Sequence, residues 1–335
     1  MQTKKHIVML QAAHRQDDDR VFYHQAKTLT EEGHQVEICD FHSFPQFQPS
    51  KADIYIVDSP KAIWKIRKIP TKIVYDITEW YPSKKNIRYL RWGKLSKTIL
   101  LVCANLWAGH RVDAFIFGEK DKAAPFRFLY PKKLAIDLSY YPNLDYIPTT
   151  QQRDISKQCN VLYAGPLTEE KGFYRVIETM TMVAQEHPNI QWSTTIISSD
   201  QHAHTSLPDN LRFTYLKPLP FQDFCAQLHH YDLFLDLRDC DFENTRCLPI
   251  KLFYYMAAGR PSIFSNLRAI TTGIPEILDC AHLVQSPAQA AQAIATYVNN
   301  PQIYYAHCKK ALQLATTQYH WKNIKHRLIQ LINAL

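Results

Sequence analysis

The fold of this chain is decided by the stretch FENTRCLPIKLFYYMAAGRPSIFSN, residues 242–266. A polar loop leads to Leu248 and Pro249, and the apolar periodicity that follows is typical of a helix. Pro249 suits a first helical turn, and Gly259 suits a left-handed position just after the helix ends. Ser262–Phe264 then reads as a buried strand. The stretch therefore predicts a loop–helix–strand unit of an α/β domain.

The predicted helix begins where the polar loop containing Glu243 and Arg246 ends. The first turn of a helix has backbone N–H groups without helical partners, and the helix dipole is positive at that end. Such an end favours an anion, above all a phosphate. The alternative is an ordinary αβ unit with a solvated acidic loop.

A second stretch, NVLYAGPLTEEKGF, spans Asn160–Phe173. A buried strand is predicted before Gly165, and a helix start is predicted close to Lys171. The Lys171 ammonium and the N–H groups of that helix start are suited to one diphosphate. The alternative is a surface lysine at a helix start.

Both stretches resemble segments of the family 4 glycosyltransferases, LPxKLFEYMAAGxPVI and (Y)xGxLxxEKG, in the order in which that family places them. The resemblance implies an α/β chain with the GT-B fold, in which two Rossmann-like, doubly wound domains face each other across a cleft. It predicts an acceptor domain over residues 1–150 and a nucleotide-sugar-binding domain over 151–318. A C-terminal helix, residues 319–335, is expected to cross back to the first domain.

The rest of the chain shows the β-α alternation of parallel sheets. An amphipathic helix is predicted over Val21–Glu32, with Asp19 as its cap. Another is predicted over Lys84–Arg111, broken near Gly93, and its second part is apolar nearly all round and should be buried. The loop between the first strand and helix, residues 13–19, contains no glycine. This argues against an ordinary dinucleotide-binding dehydrogenase.

Length and composition favour a two-domain globular protein, because 335 residues with 46% hydrophobic content suffice for two cores. No signal peptide is visible at the start, and no apolar run reaches the length of a membrane span. The eight cysteines occur singly, which indicates reduced thiols of a cytosolic protein. Neither a zinc site nor another obligatory metal is indicated.

The net charge of +8 is concentrated in one segment. Seven basic residues and no acid lie between Trp80 and Val112 (Lys84, Lys85, Arg88, Arg91, Lys94, Lys97, Arg111). Such a patch suits nucleic acid or an anionic membrane, and no nucleic-acid motif accompanies it. We therefore expect the first four of these residues to contact a membrane or the acceptor.

The resemblance also implies a donor-binding set: Gly165, Lys171, Glu243, Arg246, Leu248, Lys251 and Tyr254. Lys171 matches the family lysine that grips the diphosphate, but Pro166 stands where an arginine usually precedes it. Arg246 and Tyr254 occupy the positions of the family's paired glutamates. Glu243 is a candidate substitute for the first glutamate, and Arg246 for the missing arginine. Tyr254 either contacts the nucleoside or belongs to the core.

Two residues are candidates for general-base catalysis. Thr78 stands where the family often has a histidine, which leaves Glu79 as the nearest titratable group and His14 as another. An inverting enzyme needs such a base, whereas a retaining enzyme does not. The sequence leaves both stereochemical courses open.

These observations predict a cytoplasmic glycosyltransferase, peripheral on the inner face of the cell membrane. Its co-substrate would be a nucleoside-diphosphate sugar, without a resident cofactor. Its acceptor would be a glycan, expected to be lipid-linked, in surface-polysaccharide or glycoconjugate synthesis. Two alternatives remain: a non-catalytic GT-B-like binding or partner subunit, and a nucleotide-sugar epimerase.

Overall fold

The computed structural model describes residues 3–12, 18–41, 52–78, 93–148, 153–202 and 207–335. The chain forms two compact units. One comprises Met1–Tyr140 with Trp321–Leu335, and the other comprises Tyr141–His320. The predicted domain boundary after residue 150 lies outside the described residues. Within the described residues, no helix is long and apolar enough to cross a bilayer.

The first unit contains a six-stranded parallel sheet with the strand order β2-β1-β3-β4-β5-β6. Its strands are β1 (His6–Gln11), β2 (Gln35–Asp40), β3 (Ile54–Val57), β4 (Lys72–Ile77), β5 (Ala114–Phe117) and β6 (Leu134–Asp137). Its described helices are α1 (Asp19–Ala26 continuing as Lys27–Glu31), α2 (Pro60–Ile66), α3 (Lys94–Arg111), α4 (Lys120–Leu129) and α11 (Trp321–Ala334). The four inner strands, β1, β3, β4 and β5, are almost entirely buried and rich in aliphatic and aromatic residues, whereas the edge strands β2 and β6 are only half-buried.

The C-terminal helix α11 belongs to this first unit. The indole N–H of Trp321 donates a hydrogen bond to the Thr28 hydroxyl, 2.9 Å away. Leu328 and Ile332 are fully buried on the inner face of the helix. Burial of three large apolar side chains stabilises this placement, since each contributes roughly 1.5–3 kcal/mol.

Two details of the first unit correct the sequence-based expectations. The cap of α1 is Asp18 rather than Asp19, and the helix opens with π-helical turns. The break predicted near Gly93 is confirmed, because a helix begins at Lys94 directly after it, and residues 84–92 lie outside the described part. The second part of that helix is not buried as predicted. Asn105 and Ala108 face the core, but Leu95 is 74% exposed.

The second unit contains another six-stranded parallel sheet, ordered β12-β11-β10-β7-β8-β9. Its strands are β7 (Gln158–Ala164), β8 (Gln191–Ile197), β9 (Leu211–Leu216), β10 (Leu233–Asp236), β11 (Ser262–Ser265) and β12 (Ala281–Val284). Its described helices are α5 (Phe173–Glu186), α6 (Phe221–Gln227), α7 (Ile250–Ala257), α8 (Arg268–Gly273), α9 (Pro287–Asn299) and α10 (Pro301–Thr317). Apolar clusters line both faces of the sheet.

The order of the second sheet is that of a doubly wound Rossmann-like domain, and it reverses direction between β7 and β10. Loops that leave two adjacent strands on opposite faces open a crevice at the carboxyl ends of those strands. The segments after Ala164 and after Asp236 meet at this switch point. They are the two stretches that the sequence singled out.

The loop–helix–strand unit of 242–266 forms as predicted, with one shift at its start. Pro249 is the residue before the first turn of α7 rather than part of it. Gly259 has φ +63°, its N–H donates to the carbonyl of Met256, and the Arg260 N–H donates to that of Tyr255. This pair of bonds ends the helix in a Schellman motif, which favours glycine because other residues are strained at that φ.

Candidate functional site

The candidate site lies at the carboxyl ends of β7 and β10 in the second unit. The loop after β7 is held against the loop after β10 by a backbone hydrogen bond from Asp239 N–H to the Glu170 carbonyl, 2.9 Å long. Gly172, at φ +78°, lies so close to Leu237 that a Cβ there would come within 2.1 Å of the Leu237 carbonyl oxygen. Only glycine allows this approach.

Lys171 reaches across this junction. Its Nζ donates to the side-chain oxygen of Asn244, 3.2 Å away, and lies 2.9 Å from a carboxylate oxygen of Glu170. Asn244 is only 3% exposed, and its Nδ2 has no hydrogen-bond partner among the described residues. A buried amide N–H without a partner costs about 1–3 kcal/mol, so it marks a place where a ligand acceptor is favoured.

A second lysine lies beside the first. Lys251, in the first turn of α7, donates from Nζ to the carbonyl of Ala164, the last residue of β7. Gly165 follows at once, and a Cβ there would come within 3.6 Å of Lys251 Nζ. A side chain at position 165 would therefore occupy space beside the ammonium group. The structure brings Gly165, Lys171 and Lys251 together, as a shared donor site requires.

Three basic side chains, Arg238, Lys251 and Lys171, act on the buried carboxylate of Asp236. Asp236, the last residue of β10, forms a two-pronged ion pair with Arg238. Burial raises the pKa of Asp236, but Arg238 outweighs this and, with Lys251 and Lys171, holds it below the usual value. Asp236 is thus neutralised by Arg238, and Lys171 is paired with the exposed Glu170, so Lys251 is the basic group whose charge neither pair balances.

Desolvation lowers the pKa of Lys251 to about 8; Asp236 opposes the shift, whereas Arg238 and Lys171 add to it. A lysine in this state loses part of its charge just above neutral pH. An anion bound beside it would restore the charge. Two ammonium groups, a buried unpartnered amide and the first turn of an eight-residue helix together form a site suited to a phosphate or diphosphate.

The remaining predicted donor residues lie in the same segment but in different surroundings. Arg246 stacks over the Phe242 ring at 3.7 Å and donates to the Phe242 carbonyl, 3.0 Å away. The backbone N–H of Glu243 donates to Asp241. Leu248 packs towards Gly273 in α8. Tyr254 is 3% exposed and contacts the Phe221 ring edge-on, within the core.

Sequence reasoning missed Asn244, Asp236 and Arg238. The Asp-x-Arg sequence directly after a buried strand was a visible signal for the ion pair. Nothing in the sequence marked Asn244, because its role depends on meeting Lys171 from another loop.

The first unit has its own polar cluster at the carboxyl end of β4. Buried Arg20 forms a two-pronged ion pair with Asp76, and Gln25 donates to the same carboxylate at 2.7 Å. The Arg20 guanidinium also lies over the Tyr140 ring. Burial lowers the pKa of Arg20, but Asp76 outweighs this effect, so the net shift is upward and the Arg20 guanidinium stays charged. These contacts fix the strand end from which Thr78 emerges.

The predicted general bases, Glu79 and His14, lie outside the described residues, as do Lys84, Lys85, Arg88 and Arg91. Lys122 donates to the carbonyl of Thr78, next to Glu79 in sequence. Among the described side chains, no group of three or more His, Cys, Asp or Glu residues is placed to hold a metal ion.

No protein-family model and no curated protein matches the sequence. Solved structures do match. A sucrose-phosphate synthase from Thermosynechococcus elongatus aligns over 98% of both chains, with a TM-score of 0.68 and 13% identity. HepE from Anabaena, solved with UDP-glucose, covers 99% of this chain and 100% of its own, with a TM-score of 0.66 and 14% identity.

TarM from S. aureus, solved in complex with UDP among other ligands, aligns over 88% of this chain and 58% of its own, with a TM-score of 0.61 and 13% identity. The structures matched in this way are GT-B glycosyltransferases. The chain has the GT-B fold.

The sequence predicted a GT-B fold with two Rossmann-like domains. The two parallel six-stranded sheets and the matched structures confirm this prediction. At these identities the match concerns the fold alone. The site must be judged from its own residues.

Proposed function

We propose that this GT-B protein is a glycosyltransferase that binds a nucleoside-diphosphate sugar in its second unit. The observation that carries the proposal is the contact between Lys171 and buried Asn244 at the β7/β10 switch point. It brings an ammonium group next to an amide N–H that has no partner within the described part of the chain, at the place where doubly wound sheets bind nucleotides. Lys251 supplies a second positive charge. HepE, a structure of the same fold, was solved with UDP-glucose, which makes a UDP-sugar the first donor to test.

In this proposal the protein supplies electrostatic stabilisation of the leaving diphosphate. Negative charge grows on that group as the bond from the sugar breaks, and the Lys171 and Lys251 ammonium groups are already in place to stabilise it. No resident cofactor is required. Glu79 and His14 remain the candidates for accepting the acceptor's proton if the reaction inverts configuration.

For the acceptor we propose a glycan on a lipid carrier, in surface-polysaccharide or glycoconjugate synthesis, at the inner face of the cell membrane. The basic segment between Trp80 and Val112 supports this, because each Lys or Arg near an anionic bilayer contributes about 1 kcal/mol of attraction.

A second candidate is a GT-B-like partner subunit without activity. It is favoured by Arg246 and Tyr254, which replace two carboxylates of the family pattern, and by the burial of Tyr254 in the core. In this candidate the unit retains its fold without binding a donor.

Thermal-shift screening of nucleoside diphosphates separates the two. A donor-binding enzyme is stabilised by its own nucleotide by RT ln(1 + [L]/Kd), about 2.7 kcal/mol at a hundred times Kd. Hydrolysis of a UDP-sugar without acceptor is the second readout. Stabilisation by none of the nucleoside diphosphates would favour the inactive subunit.

A further inference from the structure

One face of α3 is apolar and open to solvent. Leu95, Ile99, Val102 and Leu106 follow each other at helical spacings of four, three and four residues, so they form a single stripe. Their exposed fractions are 74%, 54%, 39% and 40%. Soluble proteins rarely expose contiguous apolar stripes of this kind unless they bind a partner or a membrane.

The core does not explain this stripe, because the opposite side of α3 makes the core contacts. Asn105 accepts a hydrogen bond from Tyr75 in the sheet, and Trp107 packs on Trp64 of α2. The helix is therefore anchored by one side while its apolar stripe faces away. The end of α4 contacts α3 here: the Tyr130 hydroxyl donates to the Leu106 carbonyl at 2.6 Å, and Phe128, two residues before Tyr130, is 85% exposed.

The charge of α3 and of the sequence directly before it favours one occupant. Residues 80–112 carry seven basic side chains and no acid, and Lys97 and Arg111 lie on α3 itself. A second copy of the chain would bring two such basic faces together, which is unfavourable. An anionic lipid surface instead offers negative headgroups to the basic side chains and acyl chains to the apolar stripe.

We propose that α3 lies in the interface of an anionic bilayer, with Leu95, Ile99, Val102 and Leu106 inserted among the acyl chains. The proposal deepens the peripheral membrane location given above. It requires neither donor binding nor turnover, so the two can fail separately.

Two exposed cysteines give a test within the same chain. Cys103 lies beside the stripe on α3, whereas Cys240 lies in the loop after β10 of the second unit. A charged, membrane-impermeant maleimide and mass spectrometry measure the modification of each. Vesicles of phosphatidylglycerol and phosphatidylethanolamine should slow modification of Cys103 at least about tenfold and leave Cys240 unchanged. Vesicles of phosphatidylcholine alone should change neither.

A double variant, Leu95→Ser with Ile99→Ser, isolates insertion from charge attraction. Its partition onto the anionic vesicles should weaken at least tenfold, since burial of each large aliphatic side chain is worth about a factor of ten. Leu278→Ser, at an equally exposed leucine of the second unit, is the matched control and should partition as the wild type. Thermal unfolding without any ligand serves as a check that both variants keep their fold.

Three outcomes would overturn the proposal. If the protein floats with the anionic vesicles while Cys103 keeps its full reactivity, it is attached by charge alone. Protection of Cys103 that increases with protein concentration without vesicles would assign the stripe to another copy. Failure to associate with anionic vesicles at low salt would assign it to a protein partner.

Discussion

Lys171 donates a hydrogen bond to the side-chain oxygen of Asn244, 3.2 Å away and 73 positions later in the chain. The contact joins the loops after β7 and β10, and the Nδ2 of the Asn244 amide has no partner in the part of the chain that the structure describes. The two residues therefore form a pair whose binding capacity is incomplete without a ligand.

Replacing Lys171 by Ala should weaken binding of nucleoside diphosphate about ten- to a hundredfold, because a charge-assisted hydrogen bond is worth roughly 1.5–3 kcal/mol. Asn244→Ala should weaken it less. The double variant should cost less than the sum of the two, since the residues act together. Isothermal titration calorimetry measures all three. If the losses of affinity are strictly additive, or if Lys171→Ala binds nucleotide as the wild type does, the two residues do not act as a pair in the nucleotide site.

Arg246 is the candidate for the arginine replaced by Pro166. If it binds phosphate, Arg246→Ala should weaken nucleoside-diphosphate binding far more than nucleoside binding, because its guanidinium would contact the phosphate. Phe242→Leu, which removes the ring beneath the guanidinium, is the matched control for its local stacking. Equal losses for nucleoside and nucleotide would indicate a disturbed loop, and no loss would make Arg246 a bystander.

Lys251 should make nucleotide binding depend on pH above neutrality. Its pKa in the free protein is about 8, set by desolvation against the attraction of Asp236, with Arg238 and Lys171 adding repulsion. Below pH 8 the ammonium is already charged, so affinity stays level. Above pH 8 the free lysine is largely neutral. Because the bound anion raises the pKa of Lys251, binding then requires the uptake of a proton, and the affinity falls as the pH rises.

Calorimetry in buffers with different ionisation enthalpies counts the protons taken up by Lys251. Lys251→Met should bind more weakly and lose the uptake near pH 8–9. A wild-type affinity that does not change between pH 7 and pH 9 would contradict a Lys251 contact with the phosphate.

Gly172→Ala should destabilise the second unit severely. The new Cβ would combine a strained φ of +78° with a contact of 2.1 Å to the Leu237 carbonyl oxygen. Gly33→Ala is the control, since Gly33 has φ +87° but only Lys4 Cε nearby, at 3.6 Å. The control should lose about 1 kcal/mol and Gly172→Ala several times that in urea unfolding. Equal losses of stability in the two variants would mean that the loops after β7 and β10 can move apart at no cost in free energy.

His282 and His307 should make the protein less stable as the pH falls below about 6.5. Desolvation lowers the pKa of both, their mutual repulsion adds to this at His307, and Asp279 opposes it. The unfolded chain therefore takes up protons first as pH falls, which favours unfolding. Above pH 6.5 both are neutral in both states and contribute nothing.

The expected loss is on the order of 1 kcal/mol per histidine for each unit of pKa shift. Urea unfolding at pH 7 and pH 5 measures it. His282→Phe should reduce the difference between the two pH values, and the exposed His326→Gln should leave it unchanged. An undiminished difference in His282→Phe would place the pH sensitivity elsewhere.

The sequence by itself determined the elements and their class. The run from Leu248 to Phe264 carries its own helix period, its left-handed Gly259 and its following strand, and these signals are local. The β-α alternation determined the parallel sheets, and the resemblance of two segments indicated GT-B. The resemblance also identified Lys171 and Lys251 as candidate donor-binding residues. Local chemistry suffices for such features, because caps and periodicity act within a few residues.

Only the tertiary structure decided what these residues meet. The strand order placed the loop after β7 beside the loop after β10, and so joined Lys171 to Asn244 across 73 positions. It also reversed the expectation for α3, whose apolar residues exceed what one contact face can cover, so the Leu95–Leu106 stripe faces outward. Both depend on packing between distant segments, which no local pattern encodes.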